Sequence, residues 1–199
     1  SIPTLLSWMQ DFSPVAYDRV IKADIKSVSE HHGHGNAIAQ VYNHMIMPLA
    51  NEHDKQTQVK WGIKDFTYRF GRKPEGMWLA ETAVDDDTLR VLVENDIKFT
   101  ILSPYQAQRV KRIPDSDWQD VSWGNIDPAR SYRYYIKSAP GKYIDLFFYD
   151  GAISKSVAFD ELLKDGNKFI RRLKEGVSCG RDYNQLINIA TDGESYGHH

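Results

Sequence analysis

The sequence predicts an α/β fold with a mainly parallel sheet, and three observations carry that prediction. Short apolar runs of strand length alternate with longer stretches in which apolar residues recur at helical spacing. Successive runs end at a polar side chain: His44, Glu81, Ser103, Asp150 and Asp192. No internal repeat, low-complexity tract or linker divides the 199 residues, enough for a sizeable single core.

In order along the chain, residues 4–9 read as the end of a short helix. Ser13-Pro14 opens a second, with Ser as N-cap and Pro at the first helical position. Val15, Val20, Ile21, Ile25 and Val28 give it a partly apolar face to about residue 29. Residues 30–36 hold three histidines and two glycines and read as a loop. Residues 37–41 suit a buried strand, ending in Tyr42-Asn43-His44. An apolar stretch, 45–49, is broken by Pro48. Residues 54–70 predict a helix, since Val59, Ile63, Phe66 and Phe70 fall at i, i+4, i+7 and i+11 and Gly71 follows as its cap.

The run around Gly76-Met77-Trp78-Leu79-Ala80 then stops at Glu81. Residues 83–95 predict the next helix, with acidic side chains in its first turn, where the helix dipole favours them. Strand, carboxylate, helix is one unit of a parallel α/β fold, and such folds keep their chemistry at that end of the strand. Residues 98–102 predict another strand. Residues 115–130, polar with Trp118 and Trp123, read as an excursion. Residues 132–136 and 143–149 predict two strands about a turn at Pro140-Gly141, followed by helical stretches 154–164 and 167–175. A last strand, Leu186-Ile187-Asn188-Ile189-Ala190, runs to Asp192.

Composition narrows the function classes. With 41% hydrophobic and 26% charged residues and a net charge of −2, the chain is an ordinary globular one. That balance argues against a nucleic-acid binder held by phosphate contacts. Five Trp and eleven Tyr fit a sugar cleft and a large core equally. A single Cys, Cys179, excludes an intrachain disulfide and favours a reducing compartment, hence the cytoplasm. No apolar run approaches the roughly 18 residues of a membrane span, and no membrane partner is expected. No signal peptide is visible. The chain opens without Met and in helix-like sequence, as a piece of something longer would.

Two carboxylates at strand tips, Glu81 and Asp192, can split the roles of nucleophile and proton donor when their environments push their pKa values apart. A carboxylate after a strand also serves as an N-cap or salt-bridge partner, and pattern alone leaves that choice open. The histidines, His31, His32, His34, His44, His53, His198 and His199, could combine with Asp150 or Asp192 as metal ligands. There is, however, no His-Glu-x-x-His and no His-x-x-x-His, so neither metal nor other cofactor is expected. Phosphate-loop, dinucleotide and nucleophile-elbow motifs are absent. Cys179, with no argued His neighbour, reads as inert.

Three segments together resemble glycoside hydrolase family 57: Trp78-Leu79-Ala80-Glu81, Thr191-Asp192-Gly193-Glu194-Ser195-Tyr196-Gly197-His198, and Gln40 to Leu49. The resemblance runs from about Thr4 to His199. Pro74 to Trp78 and Phe148 to Gly151 look most like a large, little-characterised branch of that family. It implies an incomplete (β/α)7 barrel, a retaining mechanism and an α-linked glucan as substrate. Glu81 matches the family's nucleophile and Asp192 its general acid/base. His44 and Trp78 would shape a sugar subsite, and Asp150, Glu194 and His198 would bond sugar hydroxyls. The family's opening His-x-His-Gln-Pro-like motif has no counterpart, since His32-Gly33-His34 continues into Gly35-Asn36. Residues 1–199 therefore read as the central part of a catalytic barrel domain, without its first strand and its C-terminal part. Two other readings stand beside this one: a metal-dependent polysaccharide deacetylase and a non-catalytic glucan-binding module.

Overall fold

The computed structural model describes residues 2–114 and 117–197. They cluster in two compact units, Ser1–Thr100 with Arg133–Asp145, and Ile101–Tyr132 with Leu146–His199.

In the first unit, α1 (Ile2–Phe12) and α2 (Pro14–Glu30) are separated by Ser13, whose N–H still bonds the Met9 carbonyl at 2.8 Å. Ser13 stands at the N-cap and Pro14 at the first position, but the serine side chain makes no capping bond. Strand β1 (Ala39–Gln40) is shorter than the run that predicts it, and a 3₁₀ turn, Met47–Leu49, forms around Pro48.

Helix α3 (Glu52–Phe70) is capped at both ends. The Asn51 side chain accepts from the Asp54 N–H at 2.9 Å, and Gly71 adopts φ 66°, the left-handed conformation a glycine cap allows. Its buried face is Lys55, Gln58, Val59, Gly62 and Phe66, so polar side chains occupy two positions of the stripe that apolar spacing alone traces.

At Gly62 the helix lies directly on β1: a Cβ there would stand 1.9 Å from the Gln40 carbonyl oxygen. Alanine would gain about 1 kcal/mol of helix propensity. It would also have to push α3 off a backbone atom, and overpacking of this kind costs about 1–3 kcal/mol. We expect Gly62→Ala to lower the urea midpoint despite its better propensity; a raised midpoint would show that α3 and β1 slide apart freely.

β1 pairs in parallel with β2 (Met77–Trp78), Ala39 opposite Met77 and Gln40 opposite Trp78. α4 (Asp86–Glu94) follows, with Asp85 as N-cap and Asp86 and Asp87 in its first turn. β3 (Phe99–Leu102) approaches β2 through a parallel bridge, Gly76 to Phe99, and the buried Thr100 hydroxyl donates to the Met77 carbonyl at 2.8 Å. Met47, Val59, Met77, Leu79, Val91, Leu92 and Ile144 are sealed in this unit's core.

In the second unit β4 (Arg109–Val110) and β5 (Gln119–Asp120) form a small antiparallel pair in the expected excursion. β6 (Ser131–Tyr135) and β7 (Tyr143–Phe148), whose residues 133–145 count with the first unit, flank the turn at Gly141, and the sheet order is β3-β7-β6. α5 (Gly151–Phe159) ends earlier than its sequence suggests, because Glu161 takes φ 55° and breaks the helix before a 3₁₀ turn, Leu162–Lys164. α6 (Gly166–Glu175) completes the helices. Val121, Ile126, Phe148, Ile153 and Val157 are buried here.

Among the described residues the strands form three small sheets, the β1–β2 pair parallel and the β4–β5 pair antiparallel, so the expected α/β class holds with parallel pairing in part. One expectation is corrected. The last apolar run is not a strand. Its bonds go singly to separate partners: the Leu186 N–H to Ala129, the Asn188 carbonyl from Asp150, and the Ala190 N–H to the Ser154 hydroxyl. No consecutive ladder results, and Leu186 remains 48% exposed.

Candidate active site

The residues at the ends of β1 and β2 make a defined polar arrangement in the first unit. After Gln40 the chain is fastened to its surroundings residue by residue. The Val41 N–H bonds the Trp78 carbonyl at 3.3 Å, the Tyr42 N–H bonds the Gln58 carbonyl at 3.2 Å, and the Asn43 N–H bonds the Gln58 side-chain oxygen at 2.7 Å. His44 comes next. It projects into solvent and its Nε2 meets Glu81 Oε1 at 2.8 Å, with side-chain exposures of 61% and 70%. Two neighbouring parallel strands thus present an imidazole and a carboxylate at their C-terminal ends, where α/β folds place their ligands.

Glu81 lies on a strained turn. It adopts φ 54°, ψ 20°, and Thr82 after it φ 53°. Positive φ is uncommon for a non-glycine residue and a true outlier for a β-branched one. Such strain costs on the order of 1–3 kcal/mol and gathers at functional sites. The turn is anchored on both sides. Leu79 and Ala80 are buried, and their carbonyls accept from the Thr82 and Ala83 N–H groups at 3.0 Å. Asp85 caps α4 by accepting from the Thr88 N–H at 2.7 Å, and its other oxygen takes the Lys55 ammonium at 2.9 Å, on a side chain only 5% exposed. Burial works to raise the Asp85 carboxyl's pKa, but Lys55 and Thr88 outweigh it and hold it below the usual range. Trp78 is half-buried just before the turn.

The second unit holds the other expected residues. Asp192 is exposed at the start of a 3₁₀ turn, Gly193–Tyr196, which its side chain does not cap. Glu194 is exposed within that turn. His198 lies outside the described residues. Asp150 is the N-cap of α5, accepting from the Ile153 N–H at 2.9 Å, and borders a cavity of 210 Å³ that Arg172, Glu175, Arg181 and Asn188 also line.

The approach to Asp192 is steadied by Asn188, whose side-chain amide donates to the Pro128 and Phe148 carbonyls at 3.1 and 3.2 Å. Asp127 organises that neighbourhood, receiving the Tyr183 hydroxyl, Arg181 and the Ala129 N–H. Burial would raise its pKa, but these donors and the nearby arginines hold it below the usual range. Burial likewise pushes the Tyr132 phenol up to about 12.

Two other histidines take separate partners: His34, in the loop before β1, bonds both Glu75 oxygens through Nδ1 at 2.9 Å, and His53, in the first turn of α3, stands 3.7 Å from Asp54. Among the described residues no three His, Cys, Asp or Glu side chains converge as a metal site requires. Cys179 is exposed and free. Sequence reasoning missed Gln58, Lys55, Asp127 and Asn188, which position the loops. Gln58 and Lys55 had one signal, an i, i+3 placement on the buried stripe of α3.

The fold and these strand-end side chains define an α/β protein with exposed acid and imidazole groups at the ends of parallel strands. A model of glycosyl hydrolase family 57 matches residues 4–199, and the chain belongs to that family. Alpha-amylase 1 of Dictyoglomus thermophilum is 22% identical over 193 residues, 97% of this chain and 24% of that protein. The exo-type maltose-forming amylase of Pyrococcus sp. ST04 superposes with a TM-score of 0.72 at 20% identity, over 99% of this chain and 30% of its own. The 4-alpha-glucanotransferase of Thermococcus litoralis does so with 0.68 at 18%, over 97% and 26%. At these identities the likeness is one of fold. The chain spans about a quarter of the curated relative's length.

Proposed function

We propose that this chain supplies the central part of a family-57 catalytic barrel that acts on α-linked glucans with retention. The observation that carries the reading is the His44–Glu81 pair at the C-terminal ends of two adjacent parallel strands. An exposed carboxylate held by one hydrogen bond on a rigid turn suits a nucleophile: it is oriented, yet one oxygen stays available. The amylase and glucanotransferase relatives support an α-glucan as substrate.

In the proposed cycle a Glu81 oxygen attacks the anomeric carbon as the bond to the leaving sugar's oxygen breaks. Asp192 in its acid form gives that oxygen a proton. The same Asp192, now a carboxylate, then takes a proton from water or from an acceptor sugar, whose oxygen displaces Glu81. Two inversions restore the α configuration. His44 stabilises the carboxylate and borders the sugar subsite with Trp78, while Asp150, Glu194 and His198 are offered as hydroxyl partners. A retaining pair needs its carboxyl groups about 5–5.5 Å apart in the assembled enzyme.

The test is to trap the intermediate in the full-length protein with a fluorinated α-glucosyl fluoride and map the labelled peptide by mass spectrometry. The label is expected on Glu81. A label on another carboxylate sinks the nucleophile assignment, and an inverted product sinks the retaining mechanism.

A further inference from the structure

The excursion between β3 and β6 presents an aromatic surface that the mechanism above does not use. Trp123 is 84% exposed and Tyr105 73%. The turn that carries Trp123 lies on Tyr105: a Cβ on Gly124, the next residue, would stand 3.4 Å from the Tyr105 ring. Trp123 is held outward by a fixed turn. Its backbone takes φ 62°, and the turn is pinned by the Ser122 N–H on Asp120 at 2.7 Å, the Ser122 hydroxyl on the Gln108 carbonyl at 3.3 Å, and the Asn125 amide on the Ser122 carbonyl at 2.8 Å.

A large indole on a left-handed turn is costly twice, in backbone strain and in exposed apolar area. Trp118 nearby is different: Arg109 and Lys111 cover its ring at 4.9 and 5.3 Å. Among the described residues no ring or cation covers Trp123.

We infer that Trp123 and Tyr105 form a platform for a remote stretch of an α-glucan chain; this rests on the function proposed above. Sugar rings offer C–H faces to aromatic rings and hydroxyls to the surrounding polar groups, here Asn125, Ser122 and Gln108. The excursion's charges balance, with Arg109, Lys111 and Arg112 against Asp115, Asp117 and Asp120, which fits a neutral polymer and not a polyanion. Tyr105 also follows the C-terminal end of β3, the strand end at which α/β folds receive ligands.

The test is retardation of the full-length protein in native gels containing amylopectin, with Glu81→Gln present throughout so that nothing is consumed. Trp123→Ala keeps the backbone requirement and removes only the ring. It is expected to weaken retardation about tenfold in apparent affinity, a loss of the size one aromatic contact supplies, and Trp123→Phe to restore most of it. Equal retardation of Trp123→Ala and the parent overturns the inference. So does unchanged retardation with a lower Tm, which assigns Trp123 to packing under another segment, or with an altered oligomeric state, which assigns it to a second copy. Trp123-dependent retardation, with no cleavage or transfer of α-glucan by the protein that keeps Glu81 in a separate assay, upholds the platform and removes the proposed catalytic function instead.

Discussion

Glu81→Ala, made in the full-length protein, is expected to lower kcat/KM for an activated α-glucoside by about a thousandfold or more, the scale on which loss of a reacting group is felt. On the mechanism proposed above, alanine removes the oxygen that would bond the anomeric carbon but leaves His44 and the rest of the proposed subsite standing, so KM should change little. Azide added to this variant can enter the vacated volume, attack the same carbon from the same face and restore part of the rate. The product would be a glycosyl azide of β configuration, because only one inversion occurs. Asp192→Ala should behave differently. A donor whose leaving group needs no proton should still glycosylate Glu81, while turnover of a natural glucan falls by about 10²–10⁴-fold, the usual worth of a positioned acid/base. Near-parental activity in Glu81→Ala, or identical donor dependence in the two variants, would remove the assignment.

How the site could be read beforehand differs from residue to residue. Glu81 is legible because an apolar run, a carboxylate and an acidic helix start follow one another, and each has its own local cause: burial, then a turn, then the dipole of α4. The left-handed turn that carries it is not legible, since neither Glu nor Thr advertises positive φ and the buried Leu79 and Ala80 that anchor the turn carry no mark of it either. Helix α3 is legible from its apolar spacing, yet its two most consequential side chains, Lys55 and Gln58, are polar and so drop out of any hydrophobic count. The run before Asp192 has the composition of a strand, but a strand exists only where a neighbour offers consecutive backbone partners, and Ala129, Asp150 and Ser154 offer single ones. Asp150 shows the opposite case. The sequence leads one to expect a sugar partner in the carboxylate at the tip of β7, and the cap that one of its oxygens makes on α5 has no signal of its own there.

The largest stability effect is expected at Asp24, on α2. Its side chain is only 3% exposed and is clamped by Arg72, Nη2 to one oxygen at 2.8 Å and Nε to the other at 2.9 Å. The Ala37 N–H adds a bond at 2.8 Å, and the same Arg72 donates to the Ala37 carbonyl. Gly35 passes so close that a Cβ on it would stand 2.3 Å from the guanidinium. The clamp therefore fixes the loop that enters β1, and with it the strand whose end carries His44.

Asp24→Ala leaves a mostly buried guanidinium and a backbone N–H without their acceptor, and breaking such a pair costs about 3–5 kcal/mol. The pH dependence has a definite sign. Arg72's hydrogen bonds chiefly, opposed by burial and aided by the Ala37 N–H, hold the Asp24 carboxyl below its ordinary value in the folded chain. Its contribution is then fully present above the unfolded value of about 3.9 and is lost as pH falls through the lower folded value. Urea titrations of the parent and Asp24→Asn should accordingly show a stability gap that is wide at pH near 7 and narrows below about pH 4, where the parent's carboxyl is also protonated. A gap that stayed constant with pH would mean that shape and not charge is what Asp24 contributes. A gap that widened on acidification would reverse the sign derived from the clamp.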